Sequence, residues 1–156
     1  MRYAALILTV ALCAGTAMAQ TAPSFAGKWT LVPDPSNQSP MGGGLGTEAT
    51  IVQDGTTLTI TRTTQMGEMK AAYKLDGSES KNTFNMGGNS IDQVSKVKVE
   101  GPKVTINTTM NFGGQTAETV LSMWLDASGN LMVESTRPDF QGGGQPVTTK
   151  STYKKS

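Results

Sequence analysis

The side chains able to do chemistry in this chain of 156 residues are few in kind. Histidine is absent, and the one cysteine, Cys13, lies in an N-terminal stretch that reads as a removable leader. Ser-His and Cys-His nucleophilic pairs are therefore excluded, as are zinc sites built from those ligands. What remains is carboxylate, lysine, arginine and tyrosine chemistry. Paired carboxylates for glycoside hydrolysis would have to come from distant segments, and no spacing selects a pair. The glycine-rich runs lack the following helix N-terminus that a phosphate cradle needs. Met66-Gly67-Glu68-Met69, with Met41 and Met86, has the soft thioethers that monovalent copper accepts, but no histidine supports it. The expectation is a protein that is not an enzyme, with no catalytic residues, no cofactor and no metal.

The residue types left over point to binding. Glycine-rich stretches each carry one large apolar side chain: Met41-Gly42-Gly43-Gly44, Met66-Gly67, Met86-Gly87-Gly88, Phe112-Gly113-Gly114 and Phe140-Gln141-Gly142-Gly143-Gly144. Methionine is adaptable and suits permissive binding surfaces. Met41, Met66, Met86, Phe112 and Phe140 are the candidate ligand-binding residues. Arg62 and Arg137 fall near strand ends that lead to these loops, where an anionic headgroup is one possible partner.

Strands must position these loops. No window of a dozen residues places apolar groups at helical spacing, whereas period-two alternation rich in threonine and valine recurs throughout. Ten strands are expected: 25–32, 47–53, 56–64, 69–75, 80–85, 90–100, 103–111, 116–126, 131–137 and 147–154. Their connections alternate between two kinds. Asp54-Gly55, Asp76-Gly77, Gly101-Pro102 and Ser128-Gly129-Asn130 are tight and polar, and the others are the apolar-glycine loops. This hairpin unit repeats about every two dozen residues. In a meander, successive connections lie at opposite ends of the sheet, so the apolar-glycine loops gather at one end. So many strands tend to curl and close, which removes exposed edges. The fold class is all-β, an antiparallel up-and-down meander of 8–10 strands closed into a barrel. A two-layer sandwich is the alternative.

Arg2, the apolar run Ala4–Ala14 and Ala17-Met18-Ala19 form a bacterial-type secretory signal with cleavage after Ala19. The apolar run is shorter than the roughly 20 residues a membrane helix needs, and Leu12 is too large for lipoprotein processing at Cys13. Residues 20–156 then form a single domain, periplasmic or secreted, without disulfides. Removing Arg2 leaves lysine plus arginine equal to aspartate plus glutamate, at 12 each. No basic footprint for nucleic acid remains. Mid-strand lysines on the polar faces, Lys70, Lys96 and Lys98, argue against a lipid-facing barrel wall.

Phe25-Ala26-Gly27-Lys28-Trp29-Thr30-Leu31-Val32 resembles the first-strand signature of the calycin group, the lipocalins and fatty-acid-binding proteins. Gly27-x-Trp29 matches their shared Gly-x-Trp, and the wider pattern is most similar to the fatty-acid-binding branch. The resemblance implies a lipocalin-like barrel with Trp29 as a structural floor residue at the closed end. It also implies a cavity for a small apolar or amphipathic molecule. Two departures stand out. Pro33, Pro35 and Pro40 with four glycines exclude a helical lid over 33–46. The Arg-x-Tyr anchor near the C-terminus is not reproduced, because Lys150 and Tyr153 stand on opposite faces of a strand. The expected partner is such a small molecule, reached through the glycine-rich end. The alternative is a packed-core module that binds or inhibits an envelope or secreted protein.

Overall fold

The computed structural model describes residues 22–35, 44–64, 67–86, 88–112, 114–139 and 144–156. Ten strands follow in chain order: β1 Gly27–Leu31, β2 Glu48–Gln53, β3 Thr57–Thr64, β4 Gly67–Lys74 and β5 Ser80–Met86, then β6 Asn89–Glu100, β7 Lys103–Phe112, β8 Gln115–Leu125, β9 Leu131–Arg137 and β10 Val147–Lys155. No helix occurs among the described residues, so none is long and apolar enough to cross a membrane. All ten strands join one antiparallel sheet in the order β4-β3-β2-β1-β10-β9-β8-β7-β6-β5. Every neighbour but one is adjacent in sequence; β1 and β10 join the two halves, with Trp29 opposite Lys155 and Leu31 opposite Tyr153. The sheet curls into a nearly closed barrel.

The tight turns set this register. Asp54 Oδ1 accepts from the Thr56 and Thr57 amides at 2.8 and 2.7 Å. Asp76 Oδ1 accepts from Ser78 at 2.8 Å, and Asp126 Oδ1 from Ser128 and Asn130 at 2.8 and 2.9 Å. These side chains satisfy turn amides that a sheet cannot reach. Hydrogen bonds hold all three carboxyls below their ordinary pKa, chiefly from the Thr56 amide for Asp54, the Ser78 hydroxyl for Asp76 and the Asn130 carboxamide for Asp126. All three turns, with Gly101-Pro102 and both ends of the paired chain, lie at one end of the barrel. The other connections lie at the opposite end.

Period-two alternation sorts side chains inward and outward. The lower interior is a largely apolar core in which Phe25, Leu45, Leu58, Val104, Met123, Leu131, Val133 and Tyr153 have no exposed surface. Trp29 is buried among them at the turn end and donates from Nε1 to the Phe25 carbonyl at 2.8 Å. Lys155 crosses its ring, with Nζ 5.6 Å from the centroid.

Closure fails only between β4 and β5, where no main-chain ladder forms. Side chains bridge that seam instead. The Asn82 carboxamide accepts from the Ala72 amide at 2.9 Å and donates to the Ala72 carbonyl at 3.0 Å. Ser80 Oγ accepts from the Lys74 amide at 2.8 Å. Asn82 thereby presents to β4 the donor and acceptor pair that a neighbouring strand would offer.

Candidate functional site

Of the loop residues picked out by the sequence, Met41, Met66 and Phe140 lie outside the described residues. Met86 and Phe112 end β5 and β7 at the loop end of the barrel, but their side chains also lie outside what is described. The site is therefore built from the strands beneath those loops.

On β8, Met123 faces the core and is fully buried; Leu121, Thr119, Ala117 and Gln115 follow on the same face toward the loops. Leu121, Thr119 and Ala117 are only half-buried and Gln115 is exposed. Gln115 and Leu121 are six steps apart, about 20 Å of strand at roughly 3.4 Å per step. At the turn end of the same strand, exposure reaches only one inward position, Leu125. The neighbouring strands repeat the pattern. Met110 on β7, Ser135 and Arg137 on β9, and Thr149 on β10 share the inward face with buried residues yet remain half-buried. Below them Ser95 and Thr108 pair through their hydroxyls at 2.8 Å, and Gln93 Nε2 donates to Met110 Sδ at 2.9 Å. The inner face of the upper barrel on the β7–β10 side is thus partly open to solvent and carries apolar groups and hydroxyls.

A segment of the long β1–β2 connection forms its floor. Leu45 is fully buried, with Gly44 and Gly46 on either side. A Cβ on Gly44 would lie 2.8 Å from Leu121, 2.9 Å from Val133 and 3.1 Å from Ser135. A Cβ on Gly46, whose φ is +78°, would lie 2.6 Å from the Thr63 carbonyl of β3. Gly44–Gly46 therefore crosses the lumen from β3 to β8 and β9, and only residues without a side chain fit at its two supports.

Tyr153 and Arg62 hold this crosspiece. The Tyr153 hydroxyl accepts from the Leu45 amide at 3.1 Å and donates to the Gly46 carbonyl at 2.9 Å. Arg62 Nη1 donates to the Gly44 carbonyl at 3.3 Å. Burial pushes the Tyr153 phenol up to about 12, against the smaller downward pulls of the Leu45 amide and the Arg62 charge. Burial also raises Tyr73, and Arg62 opposes it. An inward arginine thus stands among inward tyrosines. Among the described residues it has no carboxylate within ion-pair distance.

The sequence placed Arg62 and Arg137 near the loop end, and both reach the inward face of the upper barrel. It singled out neither Leu45 nor Tyr153 for the interior. Alternation from Lys150 was the available sign for Tyr153: Lys150 lies outside, over the Trp124 ring at 5.2 Å, and Tyr153 lies inside. Among the described residues, no group of three histidine, cysteine, aspartate or glutamate side chains is placed to hold a metal. No protein-family model and no curated protein sequence matches the chain.

Proposed function

We propose that this protein is a lipocalin-like carrier, periplasmic or secreted, that binds a small amphipathic molecule in the recess above Gly44–Gly46. The observation that carries the reading is the run Gln115, Ala117, Thr119 and Leu121, which faces inward yet stays open to solvent. Small barrels hold single ligands at such mouths. The lining suits a molecule of mixed character: Leu121, Ala117 and Met110 offer apolar contact, and Thr119, Ser135 and Thr149 offer hydroxyls. Arg137 stands at the rim. The first-strand signature Gly27-x-Trp29 supports the same family of functions. Met41, Met66, Met86, Phe112 and Phe140 are proposed to complete the site from the loops. Extraction of the purified protein with organic solvent, followed by mass spectrometry, is expected to release one amphipathic species in near-stoichiometric amount. Release of nothing from protein isolated from its native compartment would count against the carrier reading.

A second reading has its own observation. The lower barrel is solid, and Trp124 lies half-buried on the outside of β8 with Lys103 and Lys150 at 5.1 and 5.2 Å from its centroid. An aromatic ring flanked by two ammonium groups suits contact with an envelope or secreted protein bearing carboxylates. Pull-down with wild type and Trp124→Ala separates the two readings, because only protein capture depends on Trp124.

A further inference from the structure

Gly44–Gly46 is attached to the barrel in an unusual way. Among the described residues of this connection, main-chain bonds occur at its two ends: Val32 donates to the Thr152 carbonyl at 2.8 Å, and the Thr47 carbonyl accepts from Leu31 at 2.9 Å. Over Gly44–Gly46, the hydrogen bonds seen among the described residues come from two side chains, Tyr153 and Arg62. Those side chains meet two carbonyls and one amide, and a leucine side chain sits between them in the core. The set has the composition of a bound small molecule: an apolar body with hydrogen-bond acceptors at its edge. It is supplied by the chain itself.

We propose that Gly44-Leu45-Gly46 is an internal occupant of the barrel, seated when the recess is empty and displaced when an amphipathic ligand enters. The inference rests on the ligand-binding reading above and specifies how that site is regulated. On displacement, the Gly44 and Gly46 carbonyls leave Arg62 Nη1 and the Tyr153 hydroxyl. The acceptor group of the ligand takes their place, and its apolar part fills the volume of Leu45. Arg62 has no carboxylate neighbour among the described residues, so an anionic acceptor is favoured over a neutral one. Two features make the exchange reversible. Side-chain bonds are traded for equivalent bonds to ligand, and no sheet ladder is broken. A ligand moves such an equilibrium only by its preference for the open state, and the seated occupant weakens apparent affinity by the open fraction.

The test uses the full chain and 8-anilinonaphthalene-1-sulfonate, an amphipathic anion whose fluorescence reports binding. Amide hydrogen exchange at Leu45 is followed with and without saturating probe, with Val133 as the reference in the β9 ladder. The expected result is saturable binding with at least tenfold faster exchange at Leu45 and unchanged protection at Val133. In a Leu45→Gly variant that keeps Val133 protection, the probe is expected to bind at least about tenfold more tightly, because the open fraction rises. Saturable binding that leaves Leu45 protection unchanged overturns the displacement proposal and leaves the ligand site standing. No saturable binding to either protein overturns both. If the variant does not fold, the exchange measurement on wild type alone still decides.

Discussion

Tyr153→Phe removes one oxygen atom from the interior and leaves the ring in place. That oxygen serves two buried main-chain groups, the Leu45 amide and the Gly46 carbonyl. Leaving a buried polar group unsatisfied costs about 1–3 kcal/mol, so two such groups with partial relaxation give a loss of about 3 kcal/mol. For a domain of this size a loss of 1 kcal/mol lowers Tm by about 3–4 °C, and the expected drop is about 10 °C. The control is Tyr73→Phe. Tyr73 is also buried inside the barrel, but its hydroxyl makes no hydrogen bond among the described residues. Its loss is expected to cost under about 1 kcal/mol. Urea titration by far-UV circular dichroism measures both variants. pH adds a second readout. The phenol pKa is about 12 in the folded chain against an ordinary 10.0, so Tyr153 holds its proton more tightly when folded. Its contribution is fully present below pH 10 and is lost as pH rises toward 12, by up to about 3 kcal/mol. The Tyr153→Phe variant should lack this part of the alkaline decline. Equal stability of the two Phe variants would refute the reasoning, because it would mean that Tyr153 does not hold Gly44–Gly46.

Gly46→Ala should destabilise by 2 kcal/mol or more on the same urea titration, since it combines a residue forced to positive φ with a Cβ against the Thr63 carbonyl. Asn82→Ala should cost about 1–2 kcal/mol and speed amide exchange at Ala72, whose acceptor it removes; exchange at Tyr73, which lies opposite Leu58, should change less. Iodide should quench Trp124, half-buried between two lysines that attract the anion, and leave the buried Trp29 emission largely untouched. A quenching plot with both tryptophans equally accessible would contradict the placement of Trp29 in the core.

Most of the wall was legible in the sequence, and for a local reason. Threonine-valine alternation and Asp-Gly turns act over a few residues, so 131–137 is found with the same bounds as β9 and the others differ at their ends by a residue or two. The end effects are physical: Phe25 was assigned to the first strand, but it caps the Trp29 indole through its carbonyl before pairing begins at Gly27. What lies inside the wall was harder to see. Leu45 between glycines has the pattern of a connector, and its place in the core is set where Leu121 and Val133 of β8 and β9 close on Gly44 and Tyr153 of β10 takes the Leu45 amide. No window of sequence contains that meeting. The open seam was equally hidden. The sequence marks 80–85 only as a strand, and Ser80 and Asn82 show their role once β4 stands beside them with amides that no strand pairs.

The most direct test of the ligand site is a map of probe contacts. Uniformly ¹⁵N-labelled protein titrated with 8-anilinonaphthalene-1-sulfonate should show its largest saturable shifts at Ala117, Thr119, Leu121, Ser135 and Thr149, on the inner wall above Gly44–Gly46. Shifts confined to the outer face around Lys103, Trp124 and Lys150, or no saturable shifts at all, would contradict a ligand recess at the mouth of the barrel.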